Sequence, residues 1–407
     1  MTITSAVRPA PPAVSGSSRH GIGFWAVSGA FLVAMAFSTV PTPLYPLYQA
    51  RDGFSTFMVT VVFAVYAVGV VISLLLAGHI SDRVGRRRVL VPALALELVA
   101  AVLFLADPSL PVLLVARLVT GLGVGMITAT ATAYLLDLHT AHRPGASRQR
   151  FEIVSTAANL GGVGFGPLVA GFLAQYVDAP LRTPYLVFAV LLTAAIVAVA
   201  ATPETVEVRA DRPAYRPQRV SADHGDGYLV ATVAGFASFA VFGLFTSVAS
   251  GFVAGALHHP SRALAGAVVF AVFAAAAAAQ TLTNGLAAGT RLAAGLLAQV
   301  AGVLVLVAGM HAANLAAFLV GGVVAGVGAG MLFKAAVGAV VTTAAPARRG
   351  EALAGLFLVS YLGLSLPAVA IGVATRAVTT TTAMTWFAAV LVVLLAGVAA
   401  LSRRRVR

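Results

Sequence analysis

Apolar stretches of about twenty residues, nearly free of charge, recur a dozen times along this chain, and no other feature restricts its fold so far. A helix needs about 20 such residues to cross the hydrocarbon of a bilayer, and there every backbone N–H and C=O must be satisfied within the protein. Barrel strands would instead alternate polar and apolar residues, with turns about every ten positions. Unbroken runs such as 186–201 and 264–279 are incompatible with that alternation. Composition agrees: 60% of the 407 residues are hydrophobic, 10% are charged and the mean hydropathy is +0.96, which excludes an ordinary water-soluble domain. The net charge of +13 sits in short loops and tails with no soluble domain to present it, so nucleic acid is not an expected partner. There is no cysteine, and hence no disulfide or thiolate metal site. The chain also lacks a Gly-x-x-x-x-Gly-Lys-Ser/Thr phosphate loop, and no helix clusters the His, Asp or Ser residues a membrane-embedded enzyme would need.

The runs fall at about 22–48, 57–78, 88–106, 111–137, 151–176, 183–202, 228–254, 262–284, 291–310, 314–342, 351–374 and 382–402. They predict an all-α integral membrane protein of twelve transmembrane helices. Residues 1–20, rich in Pro, Ser and Ala, read as a disordered tail. Residues 21–202 form a first six-helix bundle, 203–227 a linker with Pro203, Pro213 and Pro217, 228–402 a second bundle, and 403–407 a basic tail. An even number of spans puts both termini on one side. That side carries twenty Arg residues outside the helices and the other only Arg51, Arg182, Arg262 and Arg376, so the termini are expected in the cytoplasm and the chain in the inner (plasma) membrane.

The halves look duplicated. Residues 114–126 align without a gap on 319–331, placing Gly121, Gly123, Gly125 and Met126 on Gly326, Gly328, Gly330 and Met331. Each segment is the fourth helix of its half. Parallel six-helix repeats with a binding site between them are an architecture of secondary transporters.

Between the second and third helices lies Gly78-His-Ile-Ser-Asp82-Arg83-Val-Gly85-Arg86-Arg87-Arg88. Charge this dense cannot enter hydrocarbon, so the stretch is a tight loop. Its order resembles the signature loop of the major facilitator superfamily, with Ile80 where that family usually has Leu. The resemblance covers about 22–402 and implies two pseudo-symmetric six-helix bundles. It also implies that Asp82 docks near the eleventh helix, about Arg349–Glu351, and latches an outward-facing state. Gly78, Asp82, Arg83, Gly85 and Arg86 belong to that latch, and Arg86 is expected to pair with Asp137 at the end of helix 4.

Two further stretches resemble motifs of the same family. In helix 4, Arg117 precedes Gly121, Gly123 and Gly125; it either snorkels outward or turns inward against helix 1 near Pro41, Thr42, Pro43 and Tyr45. In helix 5, Gly162, Gly166, Pro167 and Gly171 follow the order typical of antiporters, with Ala170 in place of one usual glycine. Lys334, the only lysine, lies in helix 10 opposite Ala129 of the repeat, either in the cavity or snorkelling toward the nearer surface. By helix number, the cavity candidates are Thr42, Tyr45, Tyr66, Asn159, Phe239, Phe242, Lys334 and Tyr361. The proton-coupling candidates are Glu97, Asp137, Glu152 and Lys334, since helix 1 has no acid. The resemblance implies a monomeric proton-coupled antiporter that exports small amphiphilic or drug-like molecules by alternating access, as in drug resistance. Its energy source would be the proton gradient, with no cofactor. An importer of a sugar or metabolite, and a non-transporting membrane sensor or scaffold, are the alternatives.

Overall fold

The computed structural model describes residues 18–77, 80–107, 109–206, 217–220, 225–345 and 348–404. Among them are twelve helices long and apolar enough to cross a membrane: α1 (Ser18–Asp52), α2 (Thr56–Ala77), α3 (Arg86–Ala106), α4 (Leu110–His142), α5 (Gln149–Tyr176), α6 (Thr183–Ala200), α7 (Gly227–Ser247), α8 (Arg262–Leu282), α9 (Ala288–His311), α10 (Leu315–Thr343), α11 (Arg349–Ala374) and α12 (Thr380–Arg403). They form two six-helix bundles that meet along α5 against α8 and α2 against α11. Most of the predicted tail, 1–17, lies outside the described residues, but Ser18–His20 are already helical. The fourth helix continues five residues beyond its predicted end at Asp137. It can do so because that carboxylate accepts from Arg86 Nε at 2.9 Å and from Thr205 Oγ1 at 3.2 Å, so the charge is paired within the helix bundle's end.

α1 is interrupted after Phe37 and resumes as a short 3₁₀ turn, Thr42–Leu44, before Tyr45–Asp52. Pro41 and Pro43 lack the N–H that a continuous ladder would use, which places the break. Its counterpart α7 also breaks, at Val248, and continues as Ala249–Ala254.

Small residues set how the helices meet. α5 is wedged between α1 and α8: a Cβ on Gly162 would stand 2.8 Å from Leu32 O and Met35 Cβ of α1, and one on Gly164 would stand 2.9 Å from Phe273 Cβ of α8. Gly166 faces the Ala36 carbonyl of α1, Gly171 the Arg262 carbonyl of α8, and Gly266 of α8 the Pro167 carbonyl. Without hydrophobic driving force between helices in lipid, this close backbone approach is the main source of association. Pro167 leaves the Val163 carbonyl without its helical donor, and the Thr39 hydroxyl of α1 donates to it at 2.8 Å.

The repeat is visible in three dimensions. Gly121 and Gly125 press on α2, and Gly326 and Gly330 press in the same way on α8, the second helix of the other half. Between them, Gly123 makes room for the Glu97 carboxyl of α3, while Gly328 makes room for Gln299 of α9. Both third-helix side chains are wholly buried. The two aligned glycines thus meet different parts of the third helix: Gly123 the Glu97 carboxyl, and Gly328 the backbone N, Cα and Cβ of Gln299.

Gly266→Val is expected to destabilise the detergent-solubilised protein by about 1–3 kcal/mol through overpacking. Gly29→Ala, at a position with nothing within 4 Å, is expected to leave thermal unfolding unchanged; differential scanning fluorimetry compares the two.

Candidate transport site

The candidate residues lie mainly on α1, α2 and α4 of the first bundle and on α7, α10 and α11 of the second. On the side away from the termini the bundles are in contact. The Thr42 hydroxyl at the break of α1 donates to the Thr246 carbonyl of α7 at 3.0 Å, and the Arg376 guanidinium stands 5.5 Å over the Phe57 ring. Gly372 of α11 abuts Thr60 and Phe57 of α2, and Arg262 of α8 donates to the Ala174 carbonyl of α5 at 2.8 Å. Toward the termini the cross-bundle contact between α5 and α8 loosens to a long one, Asn284 Nδ2 to Glu152 Oε2 at 3.5 Å.

One wall carries buried charge. Arg117 is turned inward and is 2% exposed, donating through Nη1 to the Ser38 carbonyl at 2.7 Å. Ser38 lies in the interrupted stretch of α1, where a carbonyl is available to a side chain. The same guanidinium sits 4.5 Å from the Tyr66 ring centroid, a cation–π contact strengthened by the absence of water. Tyr45 is buried beside it, its hydroxyl without a partner. Glu97 lies within electrostatic reach of Arg117, and neither of its oxygens finds a well-aligned hydrogen-bond donor. Its counterpart Gln299 uses the amide group that Glu97 lacks, donating to the Ala237 carbonyl of α7 at 2.7 Å.

The opposite wall is aromatic. Phe239 of α7 packs on Phe333 of α10 at 4.9 Å, on Tyr361 of α11 at 5.4 Å and on Phe242 at 5.9 Å, and Phe242 stacks on Phe273 at 4.8 Å. Of the residues expected in the cavity, Thr42 is in the contact that shuts the far side, while Tyr45 and Tyr66 join Arg117. Phe239, Phe242 and Tyr361 form the aromatic wall. Asn159 falls in a π-helical turn, Ala157–Gly161, that no residue type in the sequence announces. Such turns are rare and cluster at functional sites.

Lys334 is placed apart from these rings. Its ammonium donates to the Gln280 carbonyl at 2.5 Å and to Asn284, so it caps the end of α8 from α10. Glu152 of the other bundle meets the same Asn284. Asp137 is committed to Arg86 and Thr205.

In the loop between α2 and α3, Gly78 lies outside the described residues. Asp82 pairs with Arg86, and Arg86 also donates to Ser81 at 2.9 Å. Gly85 has φ +115°, a conformation open to glycine. A Cβ there would also stand 2.5 Å from the Glu204 carboxylate, which accepts from the backbone N–H of Arg86 at 2.8 Å and of Arg87 at 3.1 Å. Glu204 thus caps α3 at a free helix N-terminus, where an anion is favoured. Arg87 reaches the carbonyls of Ala200 and Thr202 at 3.3 Å, tying in the end of α6. Sequence reasoning missed Glu204, which lies 118 residues from Arg86 in a stretch read only as a linker.

Two six-helix bundles with an internal repeat and buried ionisable groups are an architecture that secondary transporters use. Residues 27–224, just under half of the chain, match the family model described as Major Facilitator Superfamily, which supports an MFS transporter. An uncharacterised MFS-type transporter of Mycobacterium tuberculosis is 29% identical over 177 residues, 44% of this chain and 25% of that protein. The quinolone resistance protein NorA of Staphylococcus aureus is 24% identical over 145 residues, 36% of each chain, and the arabinose-proton symporter of Bacillus subtilis 31% over 83 residues, 20% of this chain and 18% of the other. The chain thus spans about a quarter of the first of these relatives. The human organic anion transporter MFSD10 superposes with a TM-score of 0.63 at 17% identity, over 95% of this chain and 100% of that one. A POT family transporter in complex with a thioalcohol-conjugated peptide gives 0.74 at 12% identity, over 95% and 96%.

Glu204→Ala is expected to cost about 0.5–2 kcal/mol, the range for loss of a helix cap. Limited proteolysis should then cut the loop between α2 and α3 faster than in the unsubstituted protein.

Proposed function

We propose that this protein exports small amphiphilic molecules in exchange for protons, by rocking of the two bundles about the midplane, with both termini in the cytoplasm. The observation that carries the reading is the buried pair Glu97 and Arg117 in the wall that faces Phe239 and Tyr361. An unneutralised charge in the membrane interior is costly, and such residues mark proton or substrate paths. Of the four candidates for the proton, Asp137 is held by Arg86, Glu152 is exposed and Lys334 is bound to the end of α8. Glu97 alone combines full burial with oxygens that lack a well-aligned donor. In the proposed cycle its loss of a proton leaves a carboxylate that draws Arg117 away from Ser38. Reorganisation at the break of α1 then loosens the Thr42 to Thr246 contact on the far side.

The direction of transport rests on the glycine and proline order of α5 and on the partial likeness to a quinolone resistance protein. The aromatic wall suits an amphiphile because its rings bury apolar surface without demanding a fixed hydrogen-bond pattern. The closed far side and the loosened contacts near the termini correspond to an inward-facing state. There Asp82 is 62% exposed and pairs with Arg86 of its own loop, whereas docking on Arg349–Glu351 would secure the outward-facing state. The likeness to an arabinose-proton symporter keeps import as the second reading.

Inside-out vesicles containing the protein are expected to accumulate a fluorescent cationic amphiphile when their lumen is acidified. Release of preloaded dye under the same gradient would favour import, and no gradient-dependent movement of any tested solute would overturn transport. Glu97→Gln should fold normally, since the amide keeps the volume of the carboxyl, yet lose the pH dependence of dye movement by tenfold or more, about 1.4 kcal/mol or above. Asp82→Asn is expected to slow turnover and raise the inward-facing fraction measured by cysteine accessibility; unchanged values would end the latch.

A further inference from the structure

We infer that the ends of α1, α4 and α5 on the side of the termini form a binding site for one anionic phospholipid. A recess of about 240 Å³ lies there, lined by the first turns of α1, the last turn of α4 and the start of α5. Gly21 keeps it open, since a Cβ at that position would stand 2.8 Å from the His142 ring. The Arg150 guanidinium at the rim is posed over two rings of α1, 5.3 Å from Trp25 and 5.7 Å from Phe24. Arg150 lines the recess, and among the described residues no carboxylate pairs with it.

The nearby acids are engaged elsewhere. Asp137 is bonded to Arg86, and Glu152, two residues after Arg150 and so on another face of α5, meets Asn284 of α8. Exposed arginines at 143 and 148 flank the recess in sequence, in a loop that His139 Nε2 holds through the Ser147 carbonyl at 3.1 Å. The recess thus offers cationic charge and no described competing anion.

Its other side is apolar. Ile22 is 72% exposed and Trp25 is 55% exposed, on α1 at the level where tryptophan marks the boundary between headgroups and hydrocarbon. A free phosphate would use only the arginine. A phospholipid uses both surfaces, with its phosphate against Arg150 and an acyl chain along Ile22 and Trp25. Basic pockets between helix ends are suited to anionic headgroups for this reason. A lipid seated there would tie α1, which carries the interrupted stretch beside Arg117, to the start of α5.

The chain has two tryptophans, so Trp386→Phe leaves Trp25 as the sole reporter. In phosphatidylcholine vesicles of the full-length protein, brominated-acyl phosphatidylglycerol is expected to quench Trp25 in a saturable way at low mole fraction. Brominated phosphatidylcholine should quench only in proportion to its bulk amount. Arg150→Gln should raise the half-quenching mole fraction about fivefold, while Arg182→Gln, exposed on the far side, should leave it unchanged. Equal quenching by the two brominated lipids in the otherwise unsubstituted protein would overturn the proposal without recourse to Arg150 variants. So would displacement of phosphatidylglycerol by millimolar inorganic phosphate, which would make this a simple anion site. An Arg150→Gln protein that unfolds at the normal temperature and binds phosphatidylglycerol as before would also overturn it.

Discussion

A backbone carbonyl released inside a membrane has to find a donor in the protein, and the Val163 carbonyl finds its donor on a neighbouring helix. Pro167 removes its helical partner, and the Thr39 hydroxyl of α1 takes that place at 2.8 Å. An unsatisfied group there would cost several kcal/mol, so α5 cannot leave α1 without a penalty. Glycines on the same face bring Leu32 and Ala36 of α1 within contact, and those on the other face admit the backbone of α8. One helix is therefore fixed to its own bundle by a hydrogen bond and meets the other through bare backbone. The line between α5 and α8 has few protruding side chains, and bundles can pivot about such a line with little repacking.

Duplication explains where the two bundles match and where they differ. The notch that Gly123 opens for α3 and the notch that Gly328 opens for α9 are the same device. Gln299 meets Gly328 through its backbone and Cβ and sends its neutral amide across to α7, whereas Glu97 meets Gly123 with its carboxyl, a group able to gain and lose a proton. In the proposed cycle that carboxyl gives the first bundle its response to protons. Arg117 reinforces the asymmetry, since the aligned position in the second half, Gly322, instead receives the ring of Phe245.

Much of the fold is legible in the chain because a membrane leaves few alternatives. Twelve apolar runs have to be helices, and the loop from Gly78 to Arg88 can only lie outside hydrocarbon. The site is less legible for specific reasons. Three glycines in α4 announce close approach without saying what approaches, so the fit of Glu97 against Gly123 is invisible in the sequence. Glu204 acts on a loop more than a hundred residues earlier, and a linker glutamate carries no local sign of that role. Lys334 reads as a cavity residue by helix number, yet the free carbonyls at the end of α8 lie nearer and engage its ammonium. The end of α4 is misplaced by sequence because Asp137 looks like a boundary charge, whereas Arg86 and Thr205 hold it within the bundle.

The contacts that shut the far side also bound the energy needed to open it. The bond from Thr42 to Thr246 is worth about 0.5–1.5 kcal/mol net, and the stack of Arg376 on Phe57 about 0.5–1 kcal/mol at an exposed site. Their sum is on the order of 1–2.5 kcal/mol, and the charged bond from Arg262 to the Ala174 carbonyl adds about 1.5–3 kcal/mol, so differential binding of a proton or substrate on the order of a hundred- to ten-thousandfold shifts the balance between closed and open forms. Thr42 and Arg117's partner Ser38 both belong to the interrupted stretch of α1, with Pro41 between them. A change in the bond from Arg117 to Ser38 is therefore felt four residues along, at the contact that closes the far side. That proximity within one non-helical segment supplies a short mechanical route from the buried charge to the gate, without a relay through the rest of the bundle.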